Sequence, residues 1–315
     1  MSPWPLDFRS ETAQMPGQIR IGVSGWRYTP WRGNFYPKGL AQSRELHYAS
    51  RVFNSIELNG SFYSLQWPTS YAQWAEQTPE GFVFAIKGSR YMTHMLKLRK
   101  IEMALANFFA SGLFELGDKL GPILWQFPAA MRFHPGVFEE FFSLLPRSTA
   151  EAMWIACAHD ERPKGRVCLE PLDDFPLRHC IEVRHSSFET PQFIEMMERH
   201  GFSFVVADTP NPWPRFEGAT ADFVYMRLHG ATELYHSRYT TEELTRWASL
   251  IRGWVAEGRD VYCYFDNTDK LHAPDNAQEL MEMLGLPVPF YRDERASPGT
   301  KAAESPQAAG ILHTP

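Results

Sequence analysis

Eight short apolar runs recur along the chain, at residues 19–24, 55–59, 82–87, 122–127, 179–184, 204–208, 223–229 and 261–266, with mostly helix-like segments between them. They are rich in β-branched and aromatic residues. Most lack the apolar–polar alternation of a strand with one face in water. Strands buried on both faces read this way, and they belong to parallel sheets covered by helices. Eight β/α units in roughly 270 residues match a single (β/α)8 barrel, whose usual size is about 250 residues. The rival is an open doubly wound sheet, which would carry a glycine-rich phosphate loop after its first strand. No G-x-G-x-x-G or Walker motif follows residues 19–24. The fold class is therefore α/β: a single TIM-like (β/α)8 barrel, with a helical and loop excursion between strands four and five.

The intervening segments supply the boundaries. Leu46, Ala49, Val52 and Phe53 fall at helical spacing, with Ser43 expected as the N-cap. Further helices are expected at 69–77, 100–116 (ended by Gly117), 135–145, 150–159, 190–200, 242–257 (capped by Thr240 or Thr241) and 274–284. Residues 88–98, with Tyr91, Thr93 and His94, read as a loop, and 209–214 is too proline-rich for a helix. Residues 162–175 read as a surface excursion. The domain reading is an irregular lead-in at 1–18, a barrel at 19–291 and a disordered tail at 292–315.

Composition narrows the class of function. A net charge of -6 argues against a general nucleic-acid binder, though a local basic pocket remains compatible with it. No run approaches the roughly 18 apolar residues of a membrane span. The first residues carry Asp7, Arg9 and Glu11 without a signal-peptide core. Cys157, Cys168, Cys180 and Cys263 form no C-x-x-C pair and read as reduced thiols. A cytoplasmic protein without a membrane partner is expected.

Side chains two apart on a strand share a side. On that rule Glu57 pairs with Asn59, Lys87 with Ala85, Glu182 with Arg184, Arg227 with His229, and Tyr264 with Asp266. Gln126 and Asp208 close their own strands. Polar groups thus recur at the C-terminal half of strand after strand, and a barrel gathers those positions at the mouth where active sites form. A strand interior is a costly place for an unpaired charge. Glu57, Glu182, Asp208 and His229 are the acid/base candidates. Lys87, Arg184 and Arg227, with His185, would hold an anionic group. Trp26, Trp31, Phe62, Tyr63 and Trp213 offer stacking surfaces, and Asn59, Gln126 and Asn267 offer polar contacts. Each residue also has a structural reading, as part of an ion-pair network, a cap or a core hydrogen bond. No cofactor is implied. A metal set could draw on Glu57, Glu182, Asp208 and His229, but tight ligand spacing is missing and the basic residues oppose a divalent cation.

These residues lie within a series of motifs: G-V-S-G-W (22–26), W-x-G-x-F-Y-P (31–37), S-I-E-L-N-G-S-F-Y (55–63), F-A-I-K (84–87), T-H (93–94), Q-F-P (126–128), I-E-V-R-H-S-S-F (181–188), Y-M-R-L-H-G (225–230) and Y-F-D-N-T (264–268). In this order they resemble the YecE-like family, the domain of unknown function 72, over nearly the whole ordered chain. The resemblance implies a TIM-like barrel and no established reaction. It points to Glu57, Asn59, Lys87, Gln126, Glu182, Arg184, His185, Arg227, His229 and Asn267. The chain departs at Asp266, where the family often has a second asparagine, which adds an acid to the pocket. Three readings stand: an enzyme using acid/base chemistry on a small anionic or sugar-like substrate; a non-catalytic barrel binding a ligand or a nucleic-acid end; and a metal-dependent isomerase or phosphodiesterase-like barrel.

Overall fold

The computed structural model describes residues 16–169, 173–269 and 271–287. Most of the expected lead-in and the whole expected tail lie outside the described residues. The described strands form one parallel sheet: β1 (Ile19–Ser24), β2 (Ser55–Leu58), β3 (Val83–Lys87), β4 (Leu120–Gln126), β5 (His179–Glu182), β6 (Ser203–Phe204), β7 (Val206–Asp208), β8 (Phe223–Leu228) and β9 (Asp260–Phe265). Their order runs β6-β5-β4-β3-β2-β1-β9-β8-β7. β6 and β7 are the two halves of the sixth expected strand, broken at Val205. One half pairs with β5 and the other with β8, so the chain itself closes the barrel through Val205, whose N–H reaches Ile181 O at 3.0 Å.

Two apolar layers follow from the alternation along each strand. Val83, Ala85, Leu124, Cys180, Val205, Phe223, Tyr225, Tyr262 and Tyr264 fill the barrel interior. The opposite faces, with Ile21, Val23, Ile56, Phe84, Ile86, Trp125, Ile181 and Val261, pack against the outer helices. Burial of each such side chain contributes about 1.5–3 kcal/mol. At Gly22 a Cβ would lie 1.8 Å from the Ser55 carbonyl oxygen, so only glycine allows β1 to approach β2 this closely.

The outer shell holds α1 (Glu45–Ala49), α2 (Gly60–Tyr63), α3 (Pro68–Gln77), α4 (Glu102–Ala110), α5 (Pro135–Leu144), α6 (Thr149–Ala156), α7 (Pro191–His200), α8 (Thr241–Ala256) and α9 (His272–Met283). Thr240 caps α8 in a capping box with Glu243. Ser43 does not cap α1. It sits inside a 3-10 turn, Gln42–Arg44, and the helix starts after Arg44 without a side-chain cap. The helix expected over 100–116 stops at Ala110, because Gly112 turns left-handed (φ 82) and a 3-10 stretch follows. The expected loop 88–98 contains a π-helical turn, Tyr91–Met95, closed by Leu96 N–H on Tyr91 O at 2.8 Å. Such turns occur frequently at functional sites. The excursion between β4 and β5 is pinned to the shell: Asn107 donates to Asp160 (3.0 Å), and the Arg166 guanidinium covers Trp67. Among the described residues no helix lies between β7 and β8, and the proline-rich loop there carries Trp213 to the barrel mouth.

Candidate active site

Strand alternation sets the top interior layer. Ser24 follows Gly22, Glu57 follows Ser55, Lys87 follows Ala85, Glu182 follows Cys180, Arg227 follows Tyr225 and Asp266 follows Tyr264. Parallel pairing places Ser24 beside Glu57, and Gln126 beside Glu182. These side chains therefore meet at the C-terminal end of the barrel.

Arg227 stands at the centre and is 1% exposed. Its Nε and Nη2 donate to the two Glu57 oxygens, both at 2.9 Å. Nη1 donates to Glu182 Oε2 (2.7 Å), and Nη2 also reaches Asp266 Oδ2 (2.9 Å). Glu57 further accepts from Ser24 Oγ (2.6 Å) and Tyr225 Oη (2.7 Å). Glu182 accepts from Arg184 Nε at 2.8 Å. A buried carboxylate without a partner would cost several kcal/mol, and one guanidinium offsets that for three. Burial alone would raise the Glu182 and Asp266 carboxyls. The neighbouring guanidiniums outweigh it and hold both well below the ordinary range.

Three groups around this knot keep chemical capacity. His229 is fully buried; its Nδ1 lies 2.9 Å from Asp266 Oδ2, while Nε2 has no hydrogen-bond partner among the described residues. An ionised Asp266 can only accept, so it is met by Nδ1–H, and Nε2 is the nitrogen left without a partner among the described residues. Lys87 is 8% exposed, and its Nζ lies 4.4 Å from the centroid of the Phe62 ring. No carboxylate among the described residues is within salt-bridge distance of it. Burial, then the Arg227 charge, brings its pKa down to about 8. His94, on the π-helical turn, bonds Thr93 Oγ1 through Nδ1 (2.8 Å) and lies 3.4 Å from Gln126 Nε2. Burial, then Arg184, Lys87 and Arg90, holds its imidazole below the ordinary 6.5.

Two rims enclose the mouth. On one side, Trp213 from the loop after β7 lies under the Arg184 guanidinium (3.9 Å to the ring centroid) and edge-on to His229 (5.4 Å). Tyr235 meets the same imidazole at 5.7 Å and holds a left-handed backbone, φ 63. That conformation costs a side-chain-bearing residue roughly 1–2 kcal/mol. On the other side, a pocket of about 290 Å³ is lined by Trp26, Arg27, Tyr28, Asn59, Gln66 and Trp74, among others. Asn59 Nδ2 donates to Ser24 Oγ (2.8 Å), which links the pocket to Glu57, and its Oδ1 is buried without a partner among the described residues.

The structure thus gathers Glu57, Lys87, Glu182, Arg184, Arg227 and His229, and sets Trp26 and Asn59 in the adjoining pocket. Several expected roles change. Arg227 has its donors engaged by carboxylates and is not open to an incoming anion. Asp208 stands apart, 3.3 Å from Arg215. His185 Nδ1 accepts from Ser187 N–H (3.0 Å) and caps its own turn. Asn267 donates to Ser237 O and Asn276, tying the loop after β9 to α9. Gln126 reaches Phe127 O and faces His94. Trp31 is wholly buried, its indole N–H on Thr268 O, and presents no face for stacking. Of the carboxylates weighed as metal ligands, Glu57 and Glu182 pair with Arg227 instead, and no metal-binding group of three or more His, Cys, Asp or Glu occurs among the described residues. Ser24, Tyr225 and His94 join the cluster without having been among the expected site residues. Period-two alternation is the signal that could have found two of them, since it sets Tyr225 on the side of Arg227 and Ser24 on the side of Gly22.

Residues 20–300 match the family described as Protein of unknown function DUF72, and the chain belongs to that family. It is 25% identical over 297 residues to the UPF0759 protein YunF of Bacillus subtilis, spanning 85% of this chain and 95% of that protein. The UPF0759 protein YecE of Escherichia coli is 31% identical over 111 residues, which is 35% of this chain and 38% of that one. The crystal structure of a DUF72 family protein from Thermotoga maritima aligns with TM-score 0.68 and 26% identity, covering 85% of this chain and 99% of the other. One from Enterococcus faecalis aligns with TM-score 0.66 at 19% identity, over 86% and 96% of the two chains, and shares the fold. Among the described residues no helix is long and apolar enough to cross a membrane.

Proposed function

We propose that this DUF72 barrel is an enzyme that moves protons on a small anionic, sugar-like substrate at the C-terminal mouth. The observation that carries the reading is the His229–Asp266 pair: one imidazole nitrogen is held by a carboxylate at 2.9 Å and the other is buried with no partner among the described residues. That arrangement is the one a general base requires, with the orienting group in place and the working nitrogen free. Glu57 and Glu182 then act as fixed counter-ions of Arg227 rather than as the acid and base. The anion is held by Arg184, and the body of the substrate rests against Trp26, Tyr28 and Asn59. A cytoplasmic setting suits the thiols of Cys157, Cys180 and Cys263.

The test is deuterium exchange. Sugar phosphates and 2-oxo acids are incubated with the protein in D2O, and exchange at carbons next to the carbonyl is followed by NMR. Wild type exchanges at least one compound, and His229→Asn and Asp266→Asn slow it by about 10²–10⁴-fold, the usual contribution of a general base. Exchange unaffected by His229→Asn, or absent throughout, refutes the proposal. A second reading, a binding barrel without turnover, draws on the complete pairing of Glu57 and Glu182. It predicts affinity for the same compounds with no exchange.

A further inference from the structure

Lys87 differs from the other cations of the top layer. Arg227 is saturated by three carboxylates, and Arg184 is bonded to Glu182. Lys87 Nζ instead faces the ring of Phe62, with no carboxylate of the described residues in contact. Its main chain is held firmly: its carbonyl accepts from Ser61 Oγ (2.7 Å), and β3 pairs on both sides with β2 and β4. A lysine that served only to balance charge would have its own counter-ion. This one is fixed on a strand end, against an apolar surface, with its amine left available.

We propose that Lys87 is a nucleophile whose amine condenses with the carbonyl carbon of an anionic aldehyde or ketone. The inference rests on the acid/base reading of the mouth and names the substrate class it would serve. The neutral amine attacks the carbonyl carbon as the C=O π electrons move to oxygen. A proton passes from nitrogen to that oxygen, giving a carbinolamine. The hydroxyl then takes a second proton and leaves as water while the nitrogen lone pair forms C=N. One carbonyl, one amine and one proton from solvent thus give one protonated imine and one water, with no oxidant or reductant. A protonated imine withdraws electrons from the adjacent C–H, the bond the His229–Asp266 base would open.

The surroundings raise the share of neutral amine. Burial and the Arg227 charge bring Lys87 to about 8, so roughly a tenth of it is neutral at pH 7, far more than of a surface lysine. The anion is supplied with partners by Arg184 and Arg90, both of which act on His94. The phenyl face of Phe62 accepts either a cation or a neutral imine.

Reductive trapping tests the assignment. The full chain is incubated with pyruvate or glycolaldehyde phosphate and sodium cyanoborohydride, then digested and mapped by mass spectrometry. The expected result is an adduct at Lys87 at least ten-fold above exposed lysines such as Lys38 and Lys100. It rises with pH through about 8 and is lost in Lys87→Arg. Adducts spread over surface lysines without enrichment at Lys87 overturn the proposal, and the wild-type map alone decides this, whatever the variant's folding. Deuterium exchange run in parallel separates the two readings. Wild-type exchange that persists in Lys87→Met refutes the lysine's role and leaves the His229 base standing. A Lys87 adduct without exchange supports the lysine and refutes the base.

Discussion

Replacing Arg227 with methionine keeps much of the side-chain volume and removes the charge that three carboxylates share. Glu57 and Glu182 have 0% side-chain exposure and Asp266 has 14%, so solvent cannot take over from the guanidinium. Glu182 retains Arg184 and Asp266 retains His229, whereas Glu57 keeps only the hydroxyls of Ser24 and Tyr225. Breaking a buried ion pair from one side costs about 3–5 kcal/mol. At about 2–4 °C per kcal/mol for a large domain, the melting temperature should fall by about 10 °C at pH 7.5. The loss should depend on pH in a definite direction. In wild type the Glu182 and Asp266 carboxyls titrate below their unfolded values. Their stabilisation is present above those values and disappears as pH falls through the folded ones. In the variant the orphaned carboxyls resist ionisation, and protonation relieves them. The gap between the proteins should therefore narrow by more than about 1 kcal/mol from pH 7.5 to pH 4.5, since one unit of pKa is about 1.4 kcal/mol. Urea denaturation at both pH values measures it, and adding Glu57→Gln to the variant should recover part of the loss. An equal loss at both pH values, or no loss at all, would refute the account of the network.

Two further predictions concern the frame. His179 accepts from the Trp125 indole N–H (3.1 Å) and donates Nε2–H to Pro146 O (2.7 Å); burial pushes its pKa down to about 4 from 6.5. Its folded form resists protonation, so its stabilisation is full above pH 6.5 and falls by up to about 3 kcal/mol as pH drops toward 4. His179→Gln should flatten that part of the stability–pH curve, and an unchanged slope measured by urea denaturation counts against the assignment. Gly22→Ala would force β1 from β2 at the Ser55 carbonyl. It should cost about 3 kcal/mol or more, beyond ordinary overpacking, and a thermal melt within a degree or two of wild type would contradict the contact.

The barrel was legible because its signal is local and repeated. A strand buried on both faces must be apolar along its whole length, and that constraint recurs independently at every β/α unit. Two-residue alternation likewise put Glu57, Lys87, Glu182 and Arg227 near the C-terminal ends of their strands, each with a definite set of same-side neighbours, because side-chain direction along a strand needs no knowledge of other strands. Where the reading failed, a distant contact decided. Gly112 rather than Gly117 ends α4, and Trp31 turns into the core to meet Thr268 O.

Roles within the layer depend on which side chains closure brings opposite one another. Arg227 and Glu57 are 170 residues apart, and only the register of eight strands makes that guanidinium the shared partner of three acids. The same closure gives His229 to Asp266, separates Asp208 from the network and leaves Lys87 with an aromatic ring for company. Alternation depends on the geometry of one strand, whereas ion pairing depends on the distance between two. The sequence by itself determined a parallel barrel with a charged rim; the tertiary structure decided which charges neutralise one another and which side chains stand outside that pairing.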